Sequence, residues 1–135
     1  MTNCHFSIKI DLCYNHPMKA TIQDILNANS NVRFGYLFGS YATGEETSKS
    51  DVDIAVYLED TSLDAQLSLH HALQKALQKE VDLIILNTTH NIYLLESIIY
   101  HGILLKDHEI RPEYEVRKQH EIIDFKVFRK IIDAA

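Results

Sequence analysis

The sequence predicts an α/β or α+β domain built on a small mixed sheet, with helices packed on one face. Short strand-like runs, rich in aromatics at 33–38, at 51–58, and of β-branched and aliphatic residues at 81–86, alternate with longer segments whose apolar residues recur at helical spacing. The stretch between the first two runs, 39–50, is too short for a crossover helix, so those two strands need not be parallel. A chain of 135 residues suffices for one ordinary domain and not two. Residues 1–135 are therefore read as a single domain, with a core over about 18–107 and a C-terminal helix over about 112–133.

The elements follow in order. Residues 5–12 alternate Phe6, Ile8, Ile10 and Leu12 with His5, Ser7, Lys9 and Asp11, the pattern of a half-buried strand or an N-terminal arm. Met18 to Leu26 places Met18, Ile22, Ile25 and Leu26 on one helical face. Arg33 to Phe38 and Asp51 to Leu58 are strands. Thr61 is the expected N-cap of the next helix, with Asp64 three residues on, and that helix runs to about Lys79 with Leu69, Leu73 and Leu77 on one stripe. Val81 to Leu86 is a strand. Asn91 to His101 is a helix with Ile92, Leu95, Ile98 and Ile99 inward, and Gly102 suits its C′ position. Ile103 to Lys106 is a short last strand. Pro112 opens the final helix. Its Ile122, Ile123, Phe125, Val127, Phe128, Ile131 and Ile132 are broader than one core-facing stripe. Burial on two sides and a partner-binding surface both account for that breadth.

Composition narrows the function classes. Apolar residues make up 46% and charged residues 24%, the balance of a globular protein, and the formal net charge is -6. A protein gripping a long nucleic acid carries a basic face, and no basic block is present, so direct nucleic-acid binding is not expected. Cys4 and Cys13 fit no C-x-x-C pattern and are read as reduced thiols. The N-terminus lacks an apolar signal core, and no run approaches the ~20 apolar residues of a membrane span. A cytoplasmic protein is expected. The eight histidines are scattered, and no zinc site is expected.

The informative stretch is Gly39-Ser40-Tyr41-Ala42-Thr43-Gly44, followed by Ser50-Asp51-Val52-Asp53. Residues two apart on a strand share a face, so Asp51 and Asp53 stand side by side. Val52, Ile54, Val56 and Leu58 take the opposite face, against helices. Two adjacent carboxylates repel and resist ionisation unless a cation compensates them. Magnesium, a hard cation held by one or two carboxylates plus substrate phosphates, meets that need. Asp82 begins the 81–86 strand. If that strand lies beside 51–58, Asp82 faces the same cleft, and three carboxylates then suit two metal ions. Asp82 is the best placed to accept a proton or to bind the metal on the nucleophile side.

Gly39 lets the backbone approach a phosphate closely. A short helix beginning near Ser40 would aim free N–H groups at a triphosphate, with the serine hydroxyl adding a hydrogen bond. No Gly-Lys-Ser/Thr follows, so this is not a P-loop. Gly44 is read as a turn glycine or a phosphate contact. Tyr41 is read as a base-stacking or exposed loop residue, and Lys49 as a phosphate contact or plain loop charge.

Gly39-Ser40, ten residues, Asp51-Val52-Asp53 and a later strand aspartate, Asp82, resemble the DNA polymerase β-type nucleotidyltransferase superfamily. The short length resembles its minimal nucleotidyltransferase (MNT) branch. The resemblance covers roughly 18–107 and implies a polymerase β-like fold. Many members of that branch are antitoxins paired with HEPN-domain toxins. It implies a protein adenylyltransferase that moves AMP from ATP to a tyrosine of the toxin. Gly39 and Ser40 would hold the triphosphate, Asp51 and Asp53 would bind Mg2+, and Asp82 would complete the catalytic triad. Thr43 stands where related sequences often carry arginine, so a positive charge is missing there. Two alternatives are a small-molecule (aminoglycoside-type) nucleotidyltransferase and a non-catalytic antitoxin that neutralises by binding.

Overall fold

The computed structural model describes residues 17–134. The strand expected at 5–12 and both cysteines lie outside them. Nine elements follow one another: α1 (Pro17–Ala28), β1 (Val32–Phe38), α2 (Ser40–Thr43), β2 (Val52–Leu58), α3 (Leu63–Leu77), β3 (Val81–Ile85), α4 (Ile92–His101), β4 (Ile103–Lys106) and α5 (Arg111–Ala134). The strands and the longer helices fall within a few residues of where the sequence pattern places them, and α2 lies where the glycine turn suggested a short helix.

The four strands form one mixed sheet in the order β3-β2-β1-β4. β1 pairs antiparallel with both β2 and β4, while β2 and β3 are parallel. The chain supplies what each pairing needs. The short segment between β1 and β2 returns antiparallel, and the 15-residue α3 is the crossover between the parallel pair.

Helices cover both faces of the sheet, not one as the sequence led us to expect. Ile22 and Leu26 of α1 and Leu69 and Leu73 of α3 pack on Val52, Ile54, Val56 and Leu58. On the other face, Leu95, Ile98 and Ile99 of α4 and Tyr114 and Ile122 of α5 pack on Phe34, Tyr36, Phe38 and Ala55. A bulge in β1 between Val32 and Phe34 shifts the register, so these two residues, two apart, fall into opposite cores. Phe34 stacks on Tyr57 at 5.1 Å and meets Tyr114 at 5.4 Å, an aromatic clamp that fastens the start of α5 to the sheet.

Two helix ends differ in detail from expectation. The N-cap of α3 is Ser62, whose hydroxyl accepts from the Ala65 N–H at 3.2 Å, and Asp60 in turn accepts from the Ser62 N–H. Thr61 plays no capping part. Gly102 closes α4 in an extended conformation (φ -73°), so it is not chosen for a left-handed turn. Its reason is space, because a Cβ there would lie 2.4 Å from the Ile98 carbonyl oxygen.

α5 settles the question of its broad apolar pattern. Among its residues Tyr114 and Ile122 are buried, whereas Ile123, Val127, Phe128, Ile131 and Ile132 are exposed. Beyond Ile122 the side turned to the domain is held instead by Phe125 edge-on to Tyr93 and by the Lys126–Glu96 ion pair. The helix is not buried on two sides within the described domain.

Candidate active site

The sheet register brings the predicted residues together. Phe38 pairs across β1 and β2 with Asp53, and Asp53 pairs across β2 and β3 with Asp82. Register partners on paired strands point to the same face. Asp53 and Asp82 therefore stand beside each other on the face shared with Ala55, Tyr57 and Ile84. Asp51, just ahead of β2, is exposed, Asp53 is half-buried and Asp82 is exposed. α4 and α5 cover the same face farther along, so the carboxylates occupy its open end.

Burial, followed by the charges of Asp82 and Asp51, pushes the Asp53 carboxyl up to about 6 from the ordinary 3.8. Loss of hydration is the larger cause, and the two neighbouring carboxylates add a like-charge effect to it. Among the described residues no group of three or more His, Cys, Asp or Glu side chains forms a ready coordination shell.

Gly39 follows β1 directly and bends the chain over this cluster with φ 75°, ψ -155°. A Cβ at Gly39 would fall 2.1 Å from Asp53 Oδ2. Glycine is thus required twice, for the positive φ and for the close approach of a carboxylate to the turn backbone. α2 begins at Ser40, as expected, and its first turn closes through the Ala42 and Thr43 N–H groups donating to the Gly39 carbonyl. The earliest N–H groups of a helix have no partner within it and point outward from its start. Here that start adjoins Asp53.

Other residues of the loop sort plainly. Tyr41 is 4% exposed and belongs to the core under α1 and α3, so it neither stacks on a base nor lies open in the loop. It is the anchor that seats α2 on the sheet. Gly44 ends α2 in the left-handed region (φ 81°), its N–H donating to the Ser40 carbonyl, which makes it a turn glycine. The Thr43 hydroxyl lies 3.1 Å from a Glu45 carboxylate oxygen. Ser50 Oγ accepts from the Thr47 N–H at 2.8 Å, and Lys79 Nζ donates to the Ser48 carbonyl at 3.1 Å, fixing the loop that leads into Asp51. The sequence reading placed Ser50 beside Asp51 and Lys79 at a helix end but gave neither side chain a role. A T-x-x-S turn is visible in the sequence, but the bond from Lys79 depends on the fold.

Comparison with known proteins assigns the family and the fold. Residues 20–111 match the family model described as polymerase β, nucleotidyltransferase. The chain belongs to this family. A Methanocaldococcus jannaschii relative, provisionally named a protein adenylyltransferase, is 42% identical over 77 residues, 55% of this chain and 77% of its own length. The protein adenylyltransferase MntA of Shewanella oneidensis is 41% identical over 69 residues, 50% of this chain and 48% of MntA. Among solved structures, a toxin–antitoxin complex with AMP-PNP superposes with a TM-score of 0.72 at 28% identity, covering 86% of this chain and 95% of that one. A tri-AMPylated Shewanella oneidensis HEPN toxin in complex with its MNT antitoxin superposes with a TM-score of 0.66 at 26% identity, covering 87% and 93%. The polymerase β-like nucleotidyltransferase fold implied by the motif is therefore the fold of this chain. Among the described residues no helix is long and apolar enough to cross a membrane.

Proposed function

We propose that this chain transfers AMP from ATP to a tyrosine of a HEPN-type toxin and thereby acts as its antitoxin. The observation that carries the reading is the row Gly39–Asp53–Asp82, a phosphate-compatible turn set directly against paired strand carboxylates. The protein adenylyltransferase relatives and the AMPylated HEPN toxin held by an MNT protein support the choice of acceptor.

Mg2+ fits the site. The donors are hard carboxylate oxygens, and the charges of Asp82 and Asp51, which add to burial in raising the proton affinity of Asp53, are a clustered negative charge that a cation relieves. Asp51, Asp53 and Asp82 would hold it, with two ions the arrangement general to such transfers. When bound, the cation neutralises charge on the triphosphate and on the reacting phosphate. The chain's own residues do the rest. The backbone at Gly39 and Ser40 and the Ser40 hydroxyl orient the triphosphate. Asp82, on the outer strand, accepts the proton of the incoming hydroxyl. The acceptor oxygen bonds to the α-phosphorus, the bond from that phosphorus to the bridging oxygen breaks, and pyrophosphate leaves. Most of the acceleration then comes from positioning and charge neutralisation.

The deciding experiment is mass spectrometry of a HEPN-type partner incubated with this protein, ATP and Mg2+. A gain of one or more AMP units, lost in the Asp51→Asn/Asp53→Asn double variant, is the expected result. A partner left unmodified removes the enzymatic reading. A second reading, neutralisation by contact, is favoured by the exposed Ile123, Val127, Phe128, Ile131 and Ile132 of α5. It predicts that the double variant still silences the toxin.

A further inference from the structure

We infer that the outer edge of β3 is the docking site for the acceptor segment, which adds to the sheet as an extended strand and so delivers its hydroxyl side chain to Asp82. The inference rests on the transferase reading above and names how its protein substrate binds.

β3 ends the strand order β3-β2-β1-β4, so one of its sides faces no other described strand. The Val52 N–H donates to the Glu80 carbonyl and the Leu86 N–H to the Val56 carbonyl, so Glu80 and Leu86 bond toward β2. Alternation then turns the backbone groups of Val81, Leu83 and Ile85 outward. The two ends of this edge are closed from within. His70 Nε2 donates to the Val81 carbonyl at 2.8 Å, and the Thr88 N–H donates to the Ile85 carbonyl at 3.2 Å. The Leu83 N–H and carbonyl remain between them as an outward donor–acceptor pair, the unit that an added strand recognises.

The flank of this edge is built to receive side chains. A groove of about 270 Å³ runs between α3 and β3, with Leu63, Leu67 and His70 on one wall and Val81 and Leu83 on the other, and it reaches Asp82 at the strand edge. Leu63 and Leu67 are one helical turn apart, and 68% and 55% exposed. Pleating fixes what the segment must look like. Its side chains alternate between the groove and the face that carries Asp82 and Asp53. A hydroxyl residue flanked on both sides by apolar residues satisfies both, with its neighbours on Leu63 and Leu67 and its oxygen beside Asp82. Hydrogen bonds from the main chain supply affinity and the alternating pockets supply selectivity.

The test uses the full chain and the HEPN-type protein of the transfer assay, and has two parts. The Leu63→Glu/Leu67→Glu variant alters only exposed side chains in the first half of α3, outside the Gly39–Ser40 turn. Its KM for the partner protein should rise about tenfold or more with kcat and ATP affinity nearly unchanged, the signature of lost ground-state binding. An unchanged KM in a variant that still transfers AMP overturns the docking site and leaves the transferase standing. Amide hydrogen exchange of the wild-type protein reads the edge without any chemistry. The Leu83 amide should exchange faster than those of Asp82 and Ile84 in the free chain and become protected on binding the partner. Protection of Leu83 already in the free chain, or no change in the complex, overturns the proposal. Should the wild type transfer nothing, the transferase reading falls, and the Leu83 exchange still decides whether this edge binds the partner.

Discussion

The carboxylate of Asp53 occupies the space that a side chain at Gly39 would need, with Oδ2 2.1 Å from the position of a Cβ. The turn and the carboxylate are therefore one unit. Gly39→Ala must move either the Asp53 carboxylate or the backbone, and it adds strain because φ is 75°. We expect a loss of about 1–3 kcal/mol in stability from the strained backbone. Displacing the carboxylate by an ångström should lower AMP transfer on the order of 100-fold. Urea denaturation and single-turnover transfer measure the two effects separately.

Burial of Asp53, together with the neighbouring carboxylates, sets a pH dependence for the cation-free protein. Asp53 holds its proton up to about 6, above the ordinary 3.8. The folded state thus binds this proton more tightly than the unfolded chain does. Its ionisation is a destabilising contribution that is full above pH 6 and fades as pH falls through about 6 toward 3.8. In EDTA, Asp53→Asn should raise stability at pH 7.5 by roughly 1 kcal/mol, a figure discounted for solvent screening of a half-buried side chain. The same substitution should abolish transfer. Melting curves of both proteins between pH 5 and 8 check it, and the gap between them should narrow toward pH 5. An Asp53→Asn protein less stable than wild type at pH 7.5 would contradict this account.

The carboxylate pair was legible from its spacing. The D-x-D spacing alone keeps Asp51 near enough to act on Asp53, although Asp51 precedes β2 and alternation along the strand begins only at Val52. The face that α4 and α5 cover was less legible, because Asp51 and Asp53 read as a polar side and hid Ala55 and Tyr57 farther along it. The signal lay in β1, where Phe34-Gly35-Tyr36-Leu37-Phe38 is apolar at every position, the mark of a strand covered on both faces. Tyr41 was misread for a related reason. It follows a glycine turn, yet a single turn of helix carries it back into the core. Tyr41→Ala should cost about 3–5 kcal/mol, as removal of a buried aromatic does. ATP affinity should fall with it, since α2 loses its seat on the sheet, and isothermal titration with a non-hydrolysable ATP analogue would register that.

The cap of α3 separates two neighbouring hydroxyls. Ser62 Oγ accepts from the Ala65 N–H, whereas Thr61 contributes its carbonyl, which accepts from Gln66 Nε2. Ser62→Ala should therefore destabilise by about 1 kcal/mol and Thr61→Ala by much less. Equal effects in chemical denaturation would mean that the cap is misassigned.

The sidedness of α5 gives a stability contrast within one helix. Ile122 is 2% exposed and packs with Leu95 and Tyr114, while Ile131 is 63% exposed. By helical spacing the two side chains lie on opposite sides, so a single polar substitution distinguishes core from surface without changing residue type. Ile122→Ser should cost at least about 2–4 kcal/mol, combining lost transfer energy, a cavity and a buried hydroxyl. Ile131→Ser should stay within about 0.5 kcal/mol, as exposed substitutions do. The contrast is informative because both positions are isoleucines of the same broad apolar pattern over 122–132, where composition alone cannot rank them. Comparable losses at both positions, measured on the isolated chain at low concentration, would show that the distal face of α5 is covered in solution.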